Sequence, residues 1–63
     1  MEKGYQLKED TDFEIAKSKG LLVEVMQGTI RIFSPSPIEG YSSEHVAVKG
    51  TKVLRIANQF YIA

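Results

Sequence analysis

The chain has 63 residues, no cysteine, one histidine, and eight acidic and eight basic side chains. Disulfides and thiolate metal sites are therefore excluded, and the balanced charge disfavours nucleic-acid binding, which usually depends on a basic surface. No apolar run approaches the ~20 residues of a membrane span. A domain of this length buries only roughly 60% of its unfolded surface. We therefore predict a single domain over residues 1–63, frayed at 1–4, that gains stability from self-association or a larger partner.

The N-terminal part predicts two short strands. The first is Tyr5–Leu7, and the second lies within the segment 11–19. In that segment Phe13 and Ile15 follow the period of two that is typical of a strand, whereas Phe13 and Ala16 lie three apart, as in a helix. Apolar residues are too few for a helical stripe, so we predict a strand there and keep the helix as the alternative.

A β-hairpin over residues 19–33 is the strongest local pattern. Its turn is predicted at Gln27–Gly28, because glycine adopts the positive φ of a tight turn. On either side of the turn, apolar residues alternate with other residues at Leu21, Val23, Val25, Ile30 and Ile32. The sequence Ser34–Pro37 is predicted to end the second strand, because proline has no amide to donate to a ladder. A long loop is predicted over 34–45.

Three more strands are predicted after this loop, with turns between them at Lys49–Gly50 and Ala57–Gln59; they are Val46–Val48, Val53–Ile56 and Phe60–Ile62. The segments 19–33 and 49–63 share the order Lys-Gly, strand, turn, strand, so we interpret the second as another hairpin. The whole pattern predicts an all-β fold, a small barrel, roll or sandwich of about six or seven short antiparallel strands built from β-hairpins.

The alternation also separates a core from a second apolar face. The predicted core residues are Phe13, Ile15, Val23, Val25, Ile30, Ile32, Val46, Val48, Leu54, Ile56, Phe60 and Ile62. A sheet with one wet face alternates cleanly, yet several apolar residues fall on the opposite faces. Strand ends and edges would explain them, as would a face covered by another subunit. The predicted interface residues are Leu22, Met26, Phe33, Ile38, Tyr41 and Tyr61.

No arrangement of side chains predicts catalysis or a metal site. His45 has serines nearby, but nothing in their spacing provides an orienting group and an oxyanion pocket, so we predict a surface histidine. Asp10, Asp12 and Glu14 are spaced like some calcium ligands, but the glycine and the distant bidentate glutamate of an EF-hand loop are missing. We predict a solvated turn there, and no catalytic, cofactor-binding or metal-binding residue.

An order of strand, glycine turn, strand, proline-containing loop, valine-rich strand, glycine and strand runs through Leu7, Phe13–Ile15, Leu22–Val25, Gly28–Ile32, Val46–Gly50 and Val53–Ile56. In this it resembles minimal cupin-like, small jelly-roll β modules. The His-x-His and the later Glu and His of enzymatic cupins are missing, so the resemblance implies a fold style and argues against metal-dependent activity. It also implies a likeness to phage accessory proteins that trimerise and decorate a shell.

We therefore expect a non-enzymatic structural or interaction module, without cofactor, that forms a homo-oligomer, a trimer by analogy, and binds a larger protein assembly such as a virion. One alternative is a small regulatory or inhibitor protein that binds a host protein. Another is a small-barrel nucleic-acid-binding module, in which Tyr41 or Phe33 stacks on bases beside Lys17, Lys19, Arg31, Lys49 and Lys52. The N-terminus has no signal region, so we expect a cytoplasmic or virion-associated protein without membrane association.

Overall fold

Two antiparallel sheets and one helix make up the computed structural model, which describes all residues, 1–63. In chain order the elements are β1 (Gln6–Leu7), α1 (Asp10–Ser18), β2 (Leu22–Gln27), β3 (Ile30–Pro37), β4 (Gly40–Tyr41), β5 (His45–Val48), β6 (Thr51–Leu54) and β7 (Gln59–Ile62). The four-stranded sheet has the order β1-β7-β2-β3, and the three-stranded sheet has the order β4-β5-β6. Strands hold 48% of the residues and the helix 14%, so the predicted strand-dominated fold is confirmed, without a closed barrel.

The inward faces of the two sheets and one face of α1 enclose a single core. Its buried members are Leu7, Phe13, Ala16, Val23, Val25, Ile38, Val46, Val48, Val53, Phe60 and Ile62. The rings of Phe13 and Phe60 meet edge to face at 5.4 Å between centroids, a favourable arrangement for two aromatic rings. Seven of the predicted core residues are confirmed: Phe13, Val23, Val25, Val46, Val48, Phe60 and Ile62. The contact between Phe13 and Phe60 packs the helix against the four-stranded sheet.

The segment 11–19, predicted as a strand, is helical. Asp12 determines where the helix begins, because its Oδ2 accepts hydrogen bonds from the backbone amides of Lys8 and Glu9, each at 3.0 Å. The amide of Glu9, the N-cap residue, is one of those that a helix start leaves without intrahelical partners, and Lys8 directly precedes it. At the other end, Gly20 has a φ of 62° and the amide of Leu21 donates to the carbonyl of Ala16 at 2.9 Å. Local side-chain bonds and a glycine terminus therefore delimit a nine-residue helix.

Within this helix, Phe13 and Ala16 are buried, whereas Ile15 is exposed. The prediction that Ile15 belongs to the core is wrong, because a helical period of 3.6 turns position 15 away from positions 13 and 16. Helix α1 is too short and too polar to cross a membrane.

Strand β3 is longer and more irregular than predicted. Its pairs with β2 are Gln27–Ile30, Met26–Arg31, Val25–Phe33, Val23–Ser36 and Leu22–Pro37. Two register shifts separate these pairs, so β3 carries two more residues than the stretch of β2 that it faces. Each such β-bulge reverses which face the following side chains occupy.

The bulges explain three wrong predictions in this region. Phe33 pairs with the buried Val25 and packs against the core, instead of lying opposite it. Ile30, at the end of the hairpin, and Ile32, beside the first bulge, are exposed instead of buried. The prolines do not end the strand at residue 33, because β3 is an edge strand, where a missing amide leaves no ladder bond unmade.

The remaining corrections concern the second half of the chain. The predicted loop 34–45 is largely replaced by the end of β3 and by β4. Ile38, predicted at the interface, lies between these strands and is buried in the core. The segment 49–63 is not a hairpin, because β6 pairs with β5 whereas β7 pairs with β1 and β2. In β6 the inward-facing residue is Val53, so Leu54 beside it is exposed instead of buried. Ile56 is also exposed, because it lies in the turn where the chain crosses between the sheets.

The turn predicted at Lys49–Gly50 is confirmed and joins β5 to β6. Both residues have positive φ, 51° and 75°, as a two-residue type I′ hairpin turn requires. Glycine adopts this backbone without a steric cost, while Lys49 carries a side chain in a conformation that is rare for it.

Candidate interaction surface

The four-stranded sheet has an outer face, which we define by Leu22, Glu24, Met26, Arg31 and Tyr61. In β2, Leu22, Glu24 and Met26 alternate with Val23 and Val25, which point into the core. Glu24 pairs with Tyr61 of β7, and Met26 pairs with Arg31 of β3, so side chains from three strands share this face. Leu22 is 50% exposed, and neither Met26 nor Tyr61 is fully buried. No helix or strand covers this side of the sheet.

A groove of about 590 Å³ runs over the outer face. Its lining residues are Lys3, Gly4, Glu24, Met26, Gly28, Arg31, Pro35, Tyr61, Ile62 and Ala63. The amide of Gly4 donates to the carbonyl of Ile62 at 2.7 Å, which brings the first residues of the chain to one side of the groove. Across the middle, Arg31 Nη1 and Glu24 Oε2 form an ion pair at 3.1 Å. The groove thus combines an aromatic and a thioether side chain with a charge pair.

The six predicted interface residues divide into two groups. Leu22, Met26 and Tyr61 lie together on the outer face, two of them along the groove. The other three face the opposite way: Ile38 is buried, and Phe33 and Tyr41 pack against the core. The first group therefore shares one exposed face of the sheet, while Phe33 and Tyr41 are half-buried on the other side.

Tyr41 acts as an internal tie between β4 and α1. Its ring stacks on Phe13 at 6.2 Å between centroids, and its hydroxyl donates to Glu14 Oε1 at 2.8 Å. This hydrogen bond raises the pKa of Tyr41 above its usual value and lowers that of Glu14. Tyr41 is therefore folded back onto the helix and the core.

Ser42, one of the serines near His45, bonds the backbone of the turn before β5. Its Oγ accepts hydrogen bonds from the backbone amides of His45 at 3.0 Å and Glu44 at 3.3 Å. A serine in this position closes the turn that leads into β5. The hydroxyl is thereby engaged with the backbone, and its role is structural.

The three acidic residues near the N-terminus are on α1, so the prediction of a solvated turn is wrong. Asp10 pairs with Arg55, Asp12 binds the start of the helix, and Glu14 binds Tyr41. No group of three or more His, Asp or Glu side chains is close enough to hold a metal ion. The hydrogen bonds that the Asp12 carboxylate accepts from the backbone amides of Glu9 and Lys8 hold its pKa below the usual range. Its hydrogen bond from the Tyr5 hydroxyl, 3.1 Å long, raises the pKa of that tyrosine.

The basic residues of the nucleic-acid alternative are dispersed over the fold, and one of them, Lys52, lines a pocket of about 310 Å³ together with Tyr41. Arg31 pairs with Glu24, and Lys49 Nζ donates to Ser34 Oγ at 2.9 Å. The two aromatic residues named for stacking, Phe33 and Tyr41, pack against the core.

Sequence reasoning missed a second exposed surface at the end of the three-stranded sheet. Leu54 and Ile56 lie there beside a pocket of about 370 Å³ that Ser43 and Glu44 also line. Period-two alternation placed both in the core, and only the Ala57–Asn58 turn signal nearby could have indicated otherwise.

Comparisons with known proteins add nothing to this geometry: no protein family matches the chain, and no curated protein and no solved structure matches it.

Proposed function

We propose that the chain is a non-enzymatic interaction module that self-associates and binds a larger protein assembly through the outer face of its four-stranded sheet. The observation that supports this function is the grouping of Leu22, Met26 and Tyr61 on a sheet face that lies opposite the core and that nothing covers. Tyrosine and methionine are enriched in the cores of protein interfaces. Tyrosine adds a hydroxyl that can be hydrogen-bonded there, and methionine adapts its shape to the partner.

The size of this face sets the strength of the contact. The four strands hold 20 residues, which at about 3.3 Å per residue and about 4.8 Å between strands span roughly 320 Å². A standard protein interface buries about 800 Å² on each partner, which is a fifth of the 3984 Å² surface of this chain. A single outer face is therefore suited to a weak contact. Such a contact becomes strong when several copies bind a repetitive assembly at once.

Photo-crosslinking in the cells that make the protein tests this function. A benzophenone amino acid replaces Tyr61 in one variant and Lys17, on the exposed side of α1, in a control variant. We expect a crosslinked partner from position 61 and none from position 17. The purified partner should then bind Met26→Lys at least about tenfold more weakly than the unaltered chain, and Lys17→Glu as well as it.

Equal crosslinking from both positions, or an affinity that Met26→Lys leaves unchanged, would refute the role of the outer face. Far-UV circular dichroism of Met26→Lys provides the folding control. The substituted side chain is partly exposed, so a lysine can extend into water without disturbing the core.

A further inference from the structure

The four sheet edges are not equally protected. Strands β1 and β4 have two residues each, and β3 carries Pro35, Pro37 and both bulges. Strand β6, Thr51–Leu54, has neither proline nor bulge and pairs with β5 alone. A regular, unprotected edge is a template for pairing with another strand.

The hairpin turn determines which backbone groups of β6 point to this edge. In a two-residue hairpin the residues that flank the turn, here Val48 and Thr51, exchange both hydrogen bonds. The pattern then alternates, so Val53 faces β5 while Lys52 and Leu54 direct their amides and carbonyls away from it. Of these groups, the carbonyl of Leu54 accepts a hydrogen bond from Asn58 Nδ2 at 2.8 Å.

Hydrogen bonds on the far side of β5 confirm this alternation. The carbonyl of Ala47, opposite Lys52, accepts from the amide of Glu39 at 2.8 Å, and the carbonyl of His45, opposite Leu54, accepts from the amide of Ser42 at 2.8 Å. The residues that pair with Lys52 and Leu54 thus point outward on their own side, as the geometry requires.

Apolar side chains flank the free edge. Ile56 is 91% exposed and Leu54 is 42% exposed, and both line the 370 Å³ pocket beside the strand. Ile56 lies in the turn after β6, where small or polar residues are usual, and contributes almost nothing to the core. Exposed aliphatic groups next to unpaired backbone groups are what an added strand would cover.

We propose that β6 pairs with β6 of a second copy of the chain, antiparallel, about a two-fold axis at Val53. Lys52 of each copy then exchanges both backbone hydrogen bonds with Leu54 of the other. The Leu54 carbonyl accepts the Lys52 amide with its second lone pair, beside the bond from Asn58 Nδ2. The two three-stranded sheets become one continuous sheet across the axis. This proposal rests on the self-association part of the proposed function and is independent of the outer face.

Two other registers would also match the hydrogen-bonding pattern, and both are worse. A two-fold axis at Lys52 places two ammonium groups directly opposite each other, which is destabilising. An axis at Leu54 leaves the free groups of Lys52 opposite the turn after β6 instead of opposite a strand. The axis at Val53 pairs both outward-facing residues of each copy and places Lys52 opposite a leucine. This self-complementarity identifies a second copy, and not an unrelated strand, as the occupant.

A cysteine scan tests the register directly, because the chain has no cysteine of its own. In the proposed pairing the two copies of residue 53 form a non-hydrogen-bonded pair with Cα atoms about 4.5 Å apart, within the range that a disulfide bridges. We expect Val53→Cys to form a disulfide dimer under mild oxidation. The matched control on the same strand is Thr51→Cys, whose two copies lie four residues out of register and should remain unlinked.

A charge exchange tests the pairing without altering a buried residue. Leu54→Lys places a lysine opposite Lys52 of the other copy, so we expect the dimer dissociation constant to rise about tenfold in sedimentation equilibrium. Adding Lys52→Glu to that variant creates opposite charges at the same positions and should restore the dissociation constant to within about threefold of the original. A foreign strand on this edge would show no such rescue.

Three outcomes would overturn the proposal: a chain that remains monomeric at millimolar concentration, crosslinking at Thr51→Cys as fast as at Val53→Cys, or a double variant no better than Leu54→Lys. Failure of the outer face is a separate result. Met26→Lys should leave the dimer dissociation constant unchanged, and Leu54→Lys should leave the crosslinks from position 61 unchanged.

Discussion

Arg55 joins three parts of the fold, and its replacement is the most informative perturbation of stability. Its Nη1 donates to the carbonyl of Ser42 and to Asp10 Oδ1, each at 2.6 Å, and its Nη2 donates to the carbonyl of Lys8 at 3.1 Å. The guanidinium lies 4.4 Å from the centroid of the Phe13 ring. One side chain thus connects the start of α1, the turn before β5 and the end of β6.

The exposed fractions decide which of these contacts contribute. The Arg55 side chain is 14% exposed and that of Asp10 is 67% exposed, so the ion pair is worth at most about 0.5 kcal/mol. Each hydrogen bond from the guanidinium to a carbonyl contributes about 1.5 kcal/mol, and the contact with the ring adds about 0.5–1 kcal/mol. Because Arg55→Met keeps part of the packed stem and the freed carbonyls regain some water, we expect a loss of about 3 kcal/mol.

A loss of this size is large for the chain. A domain of 63 residues has a free energy of unfolding of about 3–9 kcal/mol. The same loss should lower Tm by about 15–20 °C. Urea unfolding followed by far-UV circular dichroism measures the difference. Arg55→Lys, which keeps the charge without the planar fork, should lose about 2 kcal/mol, and Asp10→Asn about 0.5 kcal/mol or less.

The result that would refute this reasoning is an Asp10→Asn variant as unstable as Arg55→Met, because the exposed ion pair would then be the dominant contact. An Arg55→Lys variant as stable as the original chain would equally contradict it, since the fork geometry would have no value.

Two further predictions concern buried polar groups. Because backbone amides hold the pKa of Asp12 below its usual range, its stabilising effect is complete above about pH 4 and is lost as the pH falls below that value. Asp12→Asn should therefore lower the free energy of unfolding by about 2 kcal/mol at pH 7, and its difference from the original chain should shrink in acid; a difference independent of pH would count against this. Ser36 Oγ is buried without a hydrogen-bond partner. Ser36→Ala should therefore lower the free energy of unfolding by less than about 1 kcal/mol, or raise it. A larger loss in urea unfolding would show that this hydroxyl is bonded after all.

Local patterns predicted the parts of the fold that depend on local geometry. The alternation of Val23 and Val25 gave β2 its correct faces, and Lys49–Gly50 gave the hairpin turn, because a strand face and a two-residue turn depend on neighbouring residues. The helix was missed because its apolar stripe has only two buried members, Phe13 and Ala16. The hydrogen bonds of Asp12 at the start of the helix involve polar groups, which a search for apolar periodicity does not detect.

Faces were predicted wrongly wherever a strand departs from regular pairing. In β3 the period of two placed Ile32 inside and Phe33 outside, and the bulge between Arg31 and Phe33 reversed that order. A bulge depends on what the neighbouring strand and the opposing sheet require, and a single strand sequence does not contain that information. The interface prediction inherited the error, since Phe33 was assigned to it on the basis of regular alternation.

The crossing of the chain between the sheets after β6 explains why β6 has a free edge. The likeness between 19–33 and 49–63 suggested a second hairpin, in which β7 would pair with β6. Instead β7 pairs within the four-stranded sheet, so β6 has β5 as its one neighbour. The free edge and the outer face consequently belong to different sheets. A pair of chains joined along β6 would present two outer faces, so a partner with repeated sites could bind both. Two contacts of roughly 320 Å² held in one rigid pair give the avidity that one contact lacks. Self-association and attachment to a larger assembly are therefore two steps of one mode of binding in this proposal.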